Sequence, residues 1–294
     1  MTLFKAKLIL IISICLGILT IPSLALSQTS KDNFIQGFLR INRGEDAQAM
    51  PFFNKAIELK PDYFEAYMMR GATYMKLGDF MNAIIDFDKA LGLNPTMIKA
   101  YNYRGFCYLE KNDLTRAIND FTKVIELQPD YANAFESRAY AYSLKRKYKQ
   151  ALEDYDQAIT MNPEYHEAYH HRAITKLAMG DTSNAILDFS KAIELKEDMA
   201  QYHNDIGVVY LNLKDTKTAL KYFSTAIKLD ENMAVAYLNR GKAKLEMGKS
   251  KSSCKDFEQA VLLGNTEAKD LLDAYCSIEE DVPSDKSEEP EEKK

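Results

Sequence analysis

One spacing constrains this chain more than any other feature. Small residues recur every 34 positions, at Gly37, Gly71, Gly105, Ala139, Ala173, Gly207 and Gly241. The same period carries Ala49, Ala83, Ala117, Ala151, Ala185, Ala219 and Ser253, each followed four residues later by a ring: Phe53, Phe87, Phe121, Tyr155, Phe189, Phe223 or Phe257. Three residues further on come Ala56, Ala90, Val124, Ala158, Ala192, Ala226 and Ala260. Seven blocks of 34 residues, opening at Ser30, Phe64, Ile98, Ala132, His166, Ala200 and Ala234, therefore fill residues 30–267. A period of this length specifies a stack of like units and argues against a single closed globule.

Numbering each block from 1 puts the small residues at columns 8, 20 and 27 and the ring at column 24. Columns 20, 24 and 27 share one helix face, with the ring between two small neighbours. Gly44, Gly78, Gly180, Gly248 and Asn112 at column 15 suit the left-handed turn that ends a helix, and Asp79, Asp113, Asp181 and Asp215 at column 16 suit the cap of the next. Pro61, Pro95, Pro129 and Pro163 at column 32 stop the second helix. Each block thus predicts two amphipathic helices. Pro51 breaks the pattern, because inside a helix it lacks an N–H and crowds the preceding turn, at about 3 kcal/mol. A kink or a late start is expected there. Residues 268–278 predict a last helix that covers the apolar end of the stack.

This pattern resembles the tetratricopeptide repeat family over residues 30–267. The likeness rests on columns 8, 20, 24, 27 and 32, with Tyr74, Tyr108, Tyr142 and Tyr210 at column 11. The family's Trp at column 4 is replaced by Tyr67, Tyr101, Phe135, Tyr169 and Tyr237, while Asn33 and His203 fit less well, and Arg40, Lys176 and Lys244 depart from Tyr at column 11. The resemblance implies an all-α, right-handed superhelical solenoid of seven helix-turn-helix repeats (30–63, 64–97, 98–131, 132–165, 166–199, 200–233 and 234–267) plus a C-terminal capping helix. It also implies a concave groove, lined by columns 2, 5, 9 and 12 of each first helix, that holds a partner polypeptide. In this chain those columns nominate Phe38, Met68, Asn102, Phe106, Tyr140, His170, Ile174, Asn204 and Val208. Phe34, at column 5 of the first repeat, packs either on a ligand or on the segment before it. One member class clamps a C-terminal carboxylate. Its residue set is not matched, since Asn239 fits alone and Lys99 faces Tyr103 where an Arg would be needed.

Arg occupies column 7 and Asp column 23 in the same five repeats, as Arg70 with Asp86, Arg104 with Asp120, Arg138 with Asp154, Arg172 with Asp188, and Arg240 with Asp256. Repeats one and six lack both, having Gln36 with Phe52 and Ile206 with Tyr222. Joint presence and joint absence predict structural ion pairs within a repeat, not between successive repeats.

His166-Glu167-Ala168-Tyr169-His170 matches H-E-x-x-H, which on a helix can present two imidazoles to zinc with Glu167 as general base. Glu65-Ala66-Tyr67 repeats the same columns without histidines, and Glu194 is a poorly placed third ligand. A zinc peptidase is therefore the enzyme alternative. The main expectation is a non-enzymatic protein without metal or cofactor, with groove histidines as titratable contacts.

The net charge of -5 lacks the basic excess of a nucleic-acid binder. Glu279–Lys294 alone carries eight acids against three lysines, has no aromatic residue and is expected to be disordered. At the other end, Lys5, Lys7, the uncharged run from Leu8 and the small residues around Ala25 to Ser27 read as a signal peptide over 1–27. The alternative is an uncleaved anchor, the run being long enough to cross a bilayer. Export permits a disulfide between Cys254 and Cys276, with small buried thiols as the alternative. The sequence thus predicts an exported, periplasmic or secreted interaction scaffold for a protein or peptide ligand, touching a membrane only through a retained leader. A structural assembly subunit is the other reading.

Overall fold

The computed structural model describes residues 29–276, so the expected signal peptide at 1–27 and acidic tail at 279–294 lie outside the described residues. Those residues hold fifteen helices and no strand. In chain order they are α1 (Ser30–Asn42), α2 (Asp46–Leu59), α3 (Phe64–Lys76), α4 (Phe80–Leu93), α5 (Ile98–Glu110), α6 (Leu114–Leu127), α7 (Ala132–Leu144) and α8 (Tyr148–Met161). They continue with α9 (His166–Ala178), α10 (Thr182–Leu195), α11 (Ala200–Asn212), α12 (Thr216–Leu229), α13 (Ala234–Glu246), α14 (Ser250–Leu262) and α15 (Thr266–Tyr275). The first helix of every pair starts at column 1. The chain forms two compact units that divide within α7, between Ser137 and Arg138.

The small columns explain the pairing. The column 24 rings are fully buried, and a Cβ at Gly37, Gly71 or Gly105 would stand 2.7, 2.9 or 2.8 Å from Phe53, Phe87 or Phe121. Column 8 therefore stays small so that the first helix can lie against the ring of the second. The turns follow the same logic. Gly44, Gly78, Gly180 and Gly248 are left-handed, as are Asn112, Arg146 and Lys214. The side chains of Asp79, Asp113, Asp181 and Asp215 accept hydrogen bonds from the N–H groups of Asn82, Arg116, Asn184 and Thr218. The Thr218 hydroxyl, and then its N–H, hold the Asp215 carboxyl below the usual carboxylate range. Arg146 and Lys214 were not legible as left-handed, and a side chain there costs about 1–2 kcal/mol.

Two expectations need correction. Helix α2 starts at Asp46, the same column as its counterparts, and runs unbroken through Pro51, so there is no late start. Pro51 and Ala47 are both exposed, which leaves the carbonyl that Pro51 cannot bond open to water. The closing helix spans Thr266–Tyr275, not 268–278, because the Asn265 side chain caps it by accepting from Ala268 N–H at 2.9 Å. Ala268 is buried with Leu238, Phe257 and Ala260, and Cys254 is disulfide-bonded to Cys276 just past α15, with Cα atoms 5.7 Å apart.

Cys107 is fully buried among Ala83, Ile84, Phe87 and Ala100. Burial pushes its thiol up to about 12, with Glu110 adding. A protonated, enclosed thiol is inert. Folded, oxidised protein is thus expected to leave an alkylating reagent unconsumed at pH 8. After unfolding in urea, chain lacking its first 27 residues takes up one equivalent. Three equivalents would mean that Cys254 and Cys276 are unpaired.

Candidate functional site

Each column 7 arginine meets the column 23 aspartate of its own repeat through two hydrogen bonds. Arg70 donates from Nε and Nη2 to Asp86 at 2.7 and 2.7 Å, and Arg104 to Asp120 at 2.8 and 2.6 Å. The pairs Arg138–Asp154, Arg172–Asp188 and Arg240–Asp256 repeat this fork within 2.9 Å. Each aspartate is buried. The Asp86 carboxylate holds Arg70 above the usual guanidinium value, against the opposing effect of burial. Lys176 and Lys244, which depart from Tyr at column 11, add a second cation to Asp188 and Asp256, both at 2.7 Å.

A third contact went unforeseen. Arg70, Arg104 and Arg172 each extend Nη1 to column 25 of the preceding repeat, reaching Asn54, Asp88 and Asp156 at 2.7, 2.6 and 2.6 Å. The guanidinium therefore joins successive repeats as well as the helices of one. The residue types at column 25 carried that signal. Repeat six packs differently, with Ile206 buried and Tyr222 stacked on Tyr210 at 5.6 Å.

Groove columns line a hollow in the first unit and another in the second. In the first unit, Phe38, Met68 and Phe106 line a hollow of about 740 Å³ together with Met69, Ala72, Met75 and Tyr103. Phe38 and Phe106 remain 43% and 45% exposed, far more than core rings. Charges stand at its rim: Asp46 is paired with Lys76 at 2.6 Å, and Lys99 and Glu110 also line it. Asn102 belongs to the same helix as Phe106, and its Oδ1 is buried with no hydrogen-bond partner. In the second unit, Ile174 and Val208 line a hollow of about 560 Å³ with Leu177, Asp205, Asn212 and Leu213. Tyr140 stands exposed, its ring 5.0 Å from His171. Met69 and Tyr103 were missed because they lie at column 6, beside the columns used, whereas Met75 and Leu177 lie at column 12, a groove column from which no residue was nominated.

Two nominated groove residues are corrected. His170 and Asn204 are buried, with their polar atoms committed inside the protein. His170 Nε2 lies 2.8 Å from Asp205 Oδ2, and its ring stacks on Tyr202 at 4.4 Å. Asn204 donates to Asp205 at 3.2 Å and accepts from Asn239 at 3.0 Å. The cause is Tyr202, which stands at column 3 of repeat six where most other repeats have Ala and covers the column 5 imidazole of repeat five. His166 Nδ1 lies 2.8 Å from the same Tyr202 hydroxyl. Among the described residues, no three His, Cys, Asp or Glu side chains are grouped to hold a metal. Tyr202 and Asp205 thus take up the donors that the H-E-x-x-H string offers.

Tetratricopeptide repeat profiles match residues 64–97, 98–131 and 132–165 in one form and 34–63, 166–199, 200–233 and 234–263 in another. No curated protein matches the chain. Among solved structures, a tetratricopeptide repeat protein from Parabacteroides merdae is similar with a TM-score of 0.70 at 21% identity, over 84% of this chain and 98% of that one. MamA from Desulfovibrio magneticus gives 0.56 at 22% identity, over 59% and 98%. The pilF protein of Pseudomonas aeruginosa gives 0.61 at 16%, over 72% and 97%. These likenesses concern the fold. The repeats matched make up a protein-interaction scaffold of a type that is typically non-catalytic. With repeat profiles matching most of its length, the chain belongs to the tetratricopeptide repeat family.

Proposed function

We propose that this protein is a non-enzymatic adaptor outside the cytoplasm that holds a segment of a partner polypeptide in its apolar hollows. The observation that carries the reading is the hollow of the first unit, where Phe38, Met68 and Phe106 converge and the two rings stay open to solvent. Large apolar side chains exposed together mark interaction sites, and buried aromatic anchors dominate such contacts. The second hollow is smaller and includes the Asp205 carboxylate, so it favours a more polar ligand. The leader at 1–27 supports export.

The test is capture from native extract, comparing wild type with Met68→Ala plus Phe106→Ala. Loss of an anchor costs about 2 kcal/mol, so a partner held here is expected to bind at least ~30-fold more weakly to the double variant. Because both side chains lie outside the close-packed ring columns, helicity should be unchanged. Retention of every partner at wild-type strength would sink the reading. Export is tested separately by the intact mass of protein recovered outside the cytoplasm, expected to lack residues 1–27.

A further inference from the structure

The start of the stack presents a face that later repeats bury at columns 3 and 10 and half-bury at column 6. Columns 3, 6 and 10 lie on one side of each first helix. At column 10, Thr73, Cys107, Ala141, Thr175, Val209 and Ala243 are no more than 3% exposed. Within each unit the preceding repeat covers this side: Cys107 packs with Ile84 and Phe87, Val209 with Phe189, and Ala243 with Phe223. Among the described residues, helix α1 has no repeat before it. Its columns 6 and 10 carry Ile35 and Leu39, larger than most of their counterparts and 42% and 41% exposed. Among the described residues, the other end carries a covering helix. Helix α15 covers the last repeat and turns Lys269, Asp270 and Asp273 outward. A stack normally needs a polar outer face at both ends.

We propose that this face of α1 is an interface with a second copy of the chain. The polar outside of α15 does not match Ile35 and Leu39, which argues against head-to-tail stacking and leaves a two-fold contact of α1 with itself. Antiparallel pairing centred near Gly37 sets Ile35 of one copy against Leu39 of the other, each two residues from the centre. Asp32 and Arg43 lie on one flank of the same seam, five and six residues from that centre. At 1.5 Å per residue they come level across the two-fold axis, so opposite charges meet twice. Both side chains are exposed in the single chain, where Asp32 Oδ2 also accepts from the Thr29 N–H and hydroxyl at 2.9 and 2.7 Å in the cap of α1. The proposal rests on the reading that residues 1–27 are removed, since an apolar leader is the other candidate cover for this face.

The test uses protein recovered after export, with intact mass reporting separately whether the leader is gone. A contact confined to one short helix from each copy sits at the weak end of interfaces, so a dissociation constant of ~0.1 mM is expected, read by sedimentation equilibrium. Wild type should approach twice the chain mass at high concentration, and Leu39→Lys should stay at the single-chain mass with unchanged helicity. Asp32→Arg alone and Arg43→Glu alone each place like charges in register and should weaken association at least tenfold. Mixing those two variants restores both charge pairs and should restore the dimer. A wild type that stays monomeric, with or without its leader, overturns the proposal. A dimer indifferent to Leu39→Lys, or a mixture that stays monomeric, does the same.

Discussion

Replacing Asp86 by Ala is expected to destabilise the first unit by about 3–5 kcal/mol, because it strips a buried, doubly bonded guanidinium of its carboxylate. Arg70 keeps only the Asn54 amide as a polar partner, and its side chain is mostly enclosed. The pair itself is a different quantity. Removing both charges together, as Asp86→Ala with Arg70→Met, is expected to recover much of the loss, since no uncompensated charge is then left. Urea titration followed by far-ultraviolet circular dichroism measures both. A single-variant loss below about 1 kcal/mol would place the interaction with ordinary surface pairs and refute its structural role.

Phe121→Ala should cost as much by another mechanism, about 3–5 kcal/mol for removing a fully buried ring. The ring lies 2.8 Å from the position a Gly105 Cβ would take, with Ala117 and Val124 on its own helix face. Gly105 has no side chain to move into the space, and both helices are fixed by their neighbours, so the cavity should stay largely open. Hydrogen exchange offers the sharper readout, with protection lost first in α5 and α6. Phe106→Ala, one residue along from Gly105 and pointing into the hollow, is expected to leave exchange almost unchanged. If Phe106→Ala proved as destabilising as Phe121→Ala, the division between packing ring and ligand ring would be wrong.

Much of the fold was legible because its determinants repeat. A ring that needs a small residue on the facing helix writes the same constraint seven times, and columns 8 and 24 display it without reference to any partner. The groove was legible to the extent that its residues point away from those columns, as Phe38 and Phe106 do. It failed at His170 and Asn204, because their burial depends on Tyr202 and Asn239, which belong to the repeat that follows. A reading made one repeat at a time sees the helix face but not what the next helix lays over it. The left-handed Arg146 and Lys214 are opaque for a related reason: the two helices of each pair fix the turn, and the turn residue has no say.

The third prong of the column 7 arginines gives the chain an order as well as a shape. Arg70, Arg104 and Arg172 each require an oxygen-bearing side chain at column 25 of the unit before, and Asn54, Asp88 and Asp156 supply it. Repeat six has Ser224 there, a hydroxyl in place of an amide or a carboxylate. Shuffling these blocks would preserve every helix and every ring while placing an arginine over the wrong neighbour. Seven look-alike modules thus carry a grammar of adjacency, and duplication or deletion within the array is constrained by which side chain each module leaves at its trailing edge.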